Sequence, residues 1–376
     1  MGMQFLILGW LVLELTNSAS LLGLVIFVYG IPNMAMLIFG GVFADRVDRR
    51  TLLIVSQSVV ALIVALIAIL AAAQLASIWH IFAVAFVLGA IQGINMPARM
   101  AIVPSLVDKD DIMNATALTQ SVMNSGRILG PAIAGWIIDY AGIGNALYFN
   151  TFCYAIGVLF LFFMKGVQSQ TGPVKSNIAQ DFAEGVFYVC KTPVALTLIL
   201  MSFGFGFFAA SHVQVLPAFA KEVLGANAGR VGLLISASGF GSLAGSLVLA
   251  SLGNVRGKNW LLLAMALLFA SSLLLFAWSP IFSLTWVILL FVGLAFSGYI
   301  SMATAILQLT VPSHLLGRIM SMLLIAAALH YIGALPLGLI ADNLSWPISI
   351  SYGALSFLLV VLVLGVWRPN IRRLRV

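Results

Sequence analysis

Ionisable side chains that fall inside long apolar runs are the groups of this sequence best placed to do chemistry. Arg127 and Arg99 each interrupt an apolar run, and Glu14 is the only carboxylate of the first run. An arginine in the middle of a bilayer costs about 2.5–3.5 kcal/mol on insertion scales, so it has to face a cavity or a partner. Arg127 could therefore attract an anionic substrate group or tune a proton-carrying carboxylate, or it could hydrogen-bond to helix carbonyls.

The other two ionisable groups also allow two interpretations each. A carboxylate held inside a membrane can load and release a proton, so Glu14 is a candidate proton acceptor. Because Thr16-Asn-Ser18 follows it closely, its neighbours favour a solvated helix end. Arg99 could extend to the cytoplasmic surface or join a cluster of gating charges.

The composition requires lipid as the solvent for most of this chain. Of its 376 residues, 62% are hydrophobic and 8% are charged, and the mean hydropathy is +1.14. Soluble domains carry about 25% charged residues, so these values exclude a soluble globular enzyme, and the apolar content excludes disorder. The net charge of +7 is spread over several connections instead of forming one patch for nucleic acid. Cys153 and Cys190 are too few for a disulfide framework and too isolated for a metal site.

Apolar runs between turn signals predict twelve membrane-spanning helices. A spanning helix needs about 20 mainly apolar residues, and these runs do not alternate as the strands of a β-barrel would. The first run offers only about 14 residues, roughly 21 Å at helical rise, so we expect an N-terminal piece of that helix to be missing. The predicted spans are 3–16, 20–43, 51–73, 79–104, 115–138, 144–164, 194–219, 229–252, 259–278, 281–307, 317–340 and 346–367.

Lysine and arginine predict the orientation and the domain boundaries. With the connection 45–50 inside, fourteen of the 18 basic residues fall on the cytoplasmic side and two outside, which places the C-terminus in the cytoplasm. The hydrophilic connection 165–193 is read as a cytoplasmic linker, with or without an interfacial helix. We therefore expect six-helix bundles at 1–164 and 194–367 and a basic cytoplasmic tail at 368–376.

The two halves of the chain repeat each other. Gly130-Pro-Ala-Ile-Ala-Gly-Trp-Ile-Ile-Asp139 is similar to Gly333-Ala-Leu-Pro-Leu-Gly-Leu-Ile-Ala-Asp342, and a Val-Pro pair precedes each. Two six-span halves related by duplication and joined by a cytoplasmic linker describe a transporter that rocks about a site near the membrane midplane.

The connection after the second span carries a loop signature. Gly41-Val-Phe-Ala-Asp-Arg-Val-Asp-Arg-Arg50 resembles the motif Gly-x-x-x-Asp-Arg-x-Gly-Arg-Arg of the major facilitator superfamily, and it departs from that motif at Asp48. Gly93-Ile-Asn-Met-Pro-Ala-Arg99 and Arg127-Ile-Leu-Gly-Pro-Ala-Ile-Ala-Gly135 are similar to one bacterial branch, the enterobactin-exporter-like and macrolide-efflux-like carriers. The resemblance covers essentially the whole chain. It implies an all-α integral membrane fold of two six-helix bundles.

The resemblance implies that this loop is a cytoplasmic gate. Asp45 could accept backbone N–H groups at a helix N-terminus, and the arginines could pair with carboxylates such as Asp108 or Asp110. A plain positive-inside anchor would explain the arginines but not Asp45. The predicted gating residues are Gly41, Asp45, Arg46, Arg49 and Arg50.

A glycine-proline stretch in the fifth span would let this helix bend and pack closely. In the resembled family a similar stretch marks antiporters, although the spacing here is not a strict match, so proton-coupled antiport is implied. The residues are Gly126, Gly130, Pro131 and Gly135.

Polar and aromatic residues mark a possible substrate cavity. Phe205, Phe208 and His212 are spaced three and four apart, so they share one helix face. In the resembled fold the first, fourth, seventh and tenth spans line the cavity, and a bulky apolar lining suits large amphiphilic cargo. For each aromatic alone, core packing is the alternative. The candidates are Gln92, Asn95, Phe205, Phe208, His212, Phe296 and Tyr299.

These features predict a secondary transporter in a bacterial inner membrane that exports small drug-like or siderophore-like molecules by alternating access. Protons are the expected coupling ion, the lipid bilayer is the surrounding solvent, and we expect a monomer without cofactor, metal or nucleic-acid partner. The sequence lacks a phosphate-binding loop, a His-Glu-x-x-His motif and a nucleophile elbow, which argues against ATP drive and against an enzyme. A facilitator or importer of another metabolite, or a membrane scaffold without transport, is the alternative.

Overall fold

A computed structural model describes residues 2–46, 48–102, 106–108, 111–164, 178–252 and 257–367. The described residues form helices joined by short turns, with none in a strand, which confirms the predicted all-helical class. Two short stretches, Phe205–Ala210 and Val361–Trp367, are π-helical. The α-helices are α1 (Gly2–Thr16), α2 (Ala19–Arg46), α3 (Arg49–Ala72), α4 (Ile78–Ile102), α5 (Ile112–Phe163), α6 (Ile178–Lys191), α7 (Pro193–Gly204), α8 (His212–Leu224), α9 (Ala228–Leu252), α10 (Lys258–Ala277), α11 (Phe282–Thr310), α12 (Ser313–Ala328), α13 (His330–Asn343) and α14 (Trp346–Val360).

Helix length and composition agree with the predicted spans. Within the described residues, ten helices are long and apolar enough to cross a membrane, and α1 is a shorter apolar helix. One of the ten is α5, in which Gly142 has φ 83° and ψ 165°. Glycine adopts a positive φ without a Cβ penalty, so the chain turns here between the fifth and sixth predicted spans. The sequence predicts a longer break at this point than the structure shows.

The described chain divides into two compact units. The first comprises Met1–Val174 together with Ala226–Leu233, and the second comprises Lys175–Gly225 together with Leu234–Val376. In the first unit α2 packs on α4, and α5 packs on α1 and α3; in the second unit α10 packs on α11 and α14. α6 covers the stretch in which the sequence allows an interfacial helix.

Two predicted spans of the second unit are each divided in the structure. The run 194–219 becomes α7, a π-helical turn and α8, and the run 317–340 becomes α12 and α13, which Leu329 separates. The Ser211 hydroxyl donates to the carbonyl oxygens of Gly206 (3.2 Å) and Phe207 (2.6 Å). A side chain thus bonds carbonyls where the helical register changes, as breaks inside membrane helices require.

Candidate functional site

Arg127 is exposed on α5, about midway between Ile112, where the helix begins, and Gly142, where it kinks. No hydrogen bond or ion pair joins its guanidinium to another described residue. The helix-carbonyl bonds of one interpretation are thus not formed among the described residues, and a role of Arg127 toward a substrate or a proton-carrying carboxylate stays a prediction.

Arg99 lies half-buried in the last turn of α4, close enough to Tyr154 for an electrostatic interaction. The Tyr154 hydroxyl donates a hydrogen bond to the Gln4 side chain of α1. These three residues link α4, α5 and α1 within the first unit. Sequence reasoning missed Tyr154 and Gln4, although each is a polar group in an apolar run.

Glu14 is exposed at the end of α1 and accepts a hydrogen bond from Trp10 Nε1 at 2.8 Å. This placement agrees with the solvated helix end that the following residues favour. A role for Glu14 in proton transfer stays a prediction.

The gating signature spans the end of α2 and the start of α3. Gly41, Asp45 and Arg46 have helical backbone, but their side chains and that of Arg49 lie outside the described residues. Arg50 donates from Nε to Leu161 O (3.2 Å) and from an Nη atom to Phe162 O (2.7 Å). Its guanidinium thus caps the last carbonyls of α5, where a cation also interacts favourably with the helix dipole. The sequence offered Asp108 or Asp110 as candidate partners for Arg50; Asp110 lies outside the described residues, and the partners of Arg50 that the structure describes are carbonyl oxygens.

Asp48, the residue at which the signature departs from its motif, is the N-cap of α3. Its Oδ2 accepts hydrogen bonds from Thr51 N at 2.9 Å and from Thr51 Oγ1 at 2.7 Å. The bond from the Thr51 side chain, together with that from its backbone, holds the pKa of Asp48 below its ordinary value. An aspartate three residues before a threonine at a helix start is a capping signal that sequence reasoning could have used.

The glycine-proline stretch of α5 packs against two different neighbours. A Cβ on Gly135 would lie 2.2 Å from Ala228 O, so α5 and the first turn of α9 are in backbone contact there. A Cβ on Gly130 would lie 3.0 Å from Met3 N of α1, whereas a Cβ on Gly126 would have no described atom within 4 Å. Pro131 is buried on the same helix.

Asp139 strengthens the contact that Gly135 makes. Its Oδ2 accepts a hydrogen bond from Gly229 N at 2.8 Å. Because Gly229 lies in the first turn of α9, the carboxylate binds an N–H group that has no partner within its own helix, at the positive end of the helix dipole.

The cavity candidates of α4 differ in exposure. Gln92 is half-buried. Asn95 is buried, and its Oδ1 accepts a 2.6 Å hydrogen bond from Ser56 Oγ of α3. Asn95 therefore joins two helices of the first unit, and its role in a cavity stays a prediction.

The aromatic candidates form a packed cluster in the second unit. Phe205 and Tyr299 are fully buried and stacked, with ring centroids 4.4 Å apart. Phe296 is half-buried and lies 5.3 Å from Phe205, and Phe208 is half-buried with its ring edge toward Tyr352. Phe208 and Phe296 thus keep exposed surface, whereas Phe205 and Tyr299 form core.

His212 begins α8, one residue after the π-helical turn has been closed by Ser211, and is buried against Phe269 and Phe276. Its Nδ1 bonds to Ala209 O at 2.7 Å, and its Nε2 has no hydrogen-bond partner among the described residues. His330 follows the break in the run 317–340 in the same way, since its Nδ1 bonds to the carbonyl oxygen three residues earlier at 2.5 Å. Sequence reasoning did not predict the helix breaks that place these histidines.

Comparison with known proteins decides the family. A profile described as transmembrane secretion effector, a group of major facilitator superfamily transporters, matches residues 2–372. The chain belongs to this family. The multidrug efflux pump Tap of Mycolicibacterium fortuitum is 25% identical over 392 residues, covering 100% of this chain and 92% of the pump. The enterobactin exporter EntS of Shigella boydii is 25% identical over 314 residues, covering 81% of this chain and 73% of the exporter.

Solved structures agree with this assignment to the major facilitator superfamily. The nucleoside transporter NupG superposes with a TM-score of 0.77 at 15% identity, covering 99% of this chain and 97% of NupG, a likeness that shows the fold. The transporter is thus a multi-pass membrane protein of the superfamily that the loop signature predicted, and not an enzyme. It is a secondary transporter, and the gating role of the loop signature stays a prediction.

Proposed function

We propose that this transporter exports small amphiphilic molecules, drug-like or siderophore-like, across the bacterial inner membrane by alternating access in exchange for protons. The observation that carries the proposal is the similarity to efflux proteins, which extends over the whole chain for Tap and over 81% of it for EntS. The glycine-proline stretch that packs α5 closely against its neighbours supports antiport, because a similar stretch marks antiporters in this superfamily.

The proposal is tested by efflux from bacterial cells that express the chain. Cells are loaded with a macrolide, a cationic dye or a catecholate, and release is followed with and without an uncoupler. Export that the uncoupler abolishes supports gradient-driven efflux. Uptake in place of export would favour the importer, and absence of flux with normal membrane abundance would favour the scaffold.

The gating role of the loop needs a separate test with two substitutions of the same kind. Asp45→Asn removes the charge that we infer to hold the gate, and we expect it to reduce export several-fold without loss of membrane abundance. Asp48→Asn is the matched control, since asparagine caps a helix as well as aspartate does. Equal export by Asp45→Asn and Asp48→Asn would refute the gate.

The orientation and the oligomeric state belong to the same proposal. Fourteen of 18 basic residues fall on one side of the predicted spans, so we infer a cytoplasmic C-terminus. A reporter fused after Val376 that is active only in the cytoplasm checks this inference. We also infer a monomer, which the mass of the purified protein in detergent would test.

A further inference from the structure

A polar stripe runs along the first half of α5. Gln120, Asn124 and Arg127 are spaced four and three residues apart, so they fall within about 60° of one another around the helix. Gln120 and Arg127 are exposed, and Asn124 is partly exposed. Three polar side chains therefore share one open face of a membrane-spanning helix.

The continuation of this stripe shows that the face belongs to the protein interior and not to lipid. Pro131 and Gly135 extend it at the same spacing, and both are buried. Gly135 is in backbone contact with Ala228 in the first turn of α9. This face of α5 is therefore covered by protein at Pro131 and Gly135 and exposed at Arg127.

The opposite side of α5 has the character expected of a lipid-facing surface. The exposed Ser125 hydroxyl on this side is hydrogen-bonded to Ser121 O of the same helix. The large exposed residues there are apolar and lie roughly 180° from the polar stripe at 100° per residue. They are Leu118, Val122, Leu129, Ile133 and Trp136. Because α5 exposes one apolar face and one polar face within the membrane, the polar face lines a water-accessible path.

The charge on Arg127 is not neutralised by its surroundings in the described chain. On α5 the carboxylates are Asp139, which binds Gly229 N, and Asp111, each about 18–24 Å away along the helix axis. Of the helices packed against α5, α1 carries Glu14 at its far end, about 18 Å along the axis from Gly2, the residue that approaches Gly126. The charged residues of α3 and of the first turn of α9 are arginines.

We propose that Arg127, flanked by Gln120 and Asn124, binds an oxyanion of the cargo, so that the exported molecules are amphiphilic anions. A guanidinium presents a planar fork of donors that matches a carboxylate or phosphate, and charge-assisted hydrogen bonds of this kind are the strong ones. The two amides supply neutral donors and acceptors on either side of the anion. This inference names the cargo class and rests on the proposed export function.

The test compares one amphiphile with and without its negative charge. A dansyl-labelled undecanoate and its methyl ester share size and apolar surface and differ in the carboxylate. Binding is measured as the rise in unfolding temperature of the purified transporter in neutral detergent, and transport as export from cells. We expect wild type to prefer the carboxylate, and Arg127→Gln to weaken carboxylate binding about ten- to a hundredfold while changing ester binding less than about twofold.

Three further variants separate recognition from structure. Arg127→Lys should keep part of the preference, because it retains a cation but loses the planar fork. The double variant Gln120→Ala/Asn124→Ala should weaken carboxylate binding with the charge still present. Lys191→Gln removes an exposed cation of α6 and should leave both ligands unaffected.

Each result decides the proposal. Carboxylate binding that depends on Arg127 supports it even if no export is detected, and in that case only the proposed export function fails. Equal binding of the carboxylate to wild type and Arg127→Gln, or no binding to either, overturns it. Equal loss of carboxylate and ester in Arg127→Gln also overturns it, because Arg127 would then support the fold or the transport cycle instead of recognising the anion.

Discussion

Replacing Gly135 with alanine should force α5 away from the first turn of α9. The new Cβ would lie 2.2 Å from Ala228 O, and Cβ contacts under 3.0 Å are essentially never observed in proteins. The two backbones would have to separate by at least about 0.8 Å. Because the contact is backbone against Cβ, rotation of a flexible side chain cannot relieve it.

The expected cost follows from what this separation breaks. The hydrogen bond from Gly229 N to Asp139 would lengthen from 2.8 Å to about 3.6 Å, beyond the range of a normal hydrogen bond. Losing a hydrogen bond to a charged group costs about 1.5–3 kcal/mol, and overpacking costs about 1–3 kcal/mol. The higher helix propensity of alanine returns up to about 1 kcal/mol. Since Asp139 is exposed, we expect the lower part of this range, a net loss of about 2 kcal/mol.

Thermal unfolding in detergent micelles measures this loss. The Gly135→Ala variant should unfold about 4–8 °C below wild type. Gly126→Ala and Gly157→Ala are matched controls on the same helix, because a Cβ at either position would meet none of the described atoms within 4 Å. Both controls should unfold at or above the wild-type temperature.

A double-mutant cycle checks the mechanism. If Gly135→Ala already breaks the bond at Asp139, then adding Asp139→Ala should destabilise the variant by less than it destabilises wild type. Unfolding of Gly135→Ala at the temperature of Gly126→Ala would refute the reasoning. Additive effects of the two substitutions would show that the hydrogen bond survives the separation.

Three further predictions concern other contacts. Asp48→Ala should cost about 1 kcal/mol of stability, because α3 loses its N-cap. Since the pKa of Asp48 is lowered in the folded state, the stability advantage of wild type over this variant should be present above about pH 4 and fade as the pH falls below it. Unfolding curves recorded at several pH values would test this. Ser56→Ala should lower the unfolding temperature by leaving buried Asn95 without its hydrogen-bond donor, whereas Asn95→Leu in the same background should restore part of the loss. His212→Phe should keep or raise stability, because Nε2 is buried between aromatic rings without a hydrogen-bond partner in the described part of the chain, and Ala209 O, which would lose its bond to Nδ1, still accepts from Ser211 N. A fall in export without a fall in stability would reveal a transport role, and a fall in stability would contradict the prediction.

Much of the candidate site follows from residue type alone. Arg127 is predicted to face a cavity because lipid does not solvate a guanidinium, and this stays a prediction for a side chain that is exposed on α5. The kink between the fifth and sixth spans is predicted near its place, since Gly142 is the residue that allows it. Asp48, at which the sequence departs from the loop motif, caps α3, and its position three residues before Thr51 already indicates this role.

Other features depend on neighbours that are distant in sequence. The spacing of Phe205, Phe208 and His212 predicts one shared face, yet Phe205 stacks on Tyr299 in the core, whereas Phe208 remains partly exposed toward Tyr352. Arg50 resembles a gating cation in sequence, and only the folded chain brings it to the last carbonyls of α5.

The sequence by itself determined that this protein is embedded in a membrane, crosses it with apolar helices and belongs to a transporter family. These three properties depend on composition, on the length of the apolar runs and on local motifs. The tertiary structure decided which side chains of the described helices are buried and which stay exposed. In a soluble protein the polar face of a helix reveals its outside. In a membrane both the core and the lipid-facing surface are apolar, so the residue type does not distinguish them for most side chains. A side chain belongs to the core only if a neighbouring helix covers it.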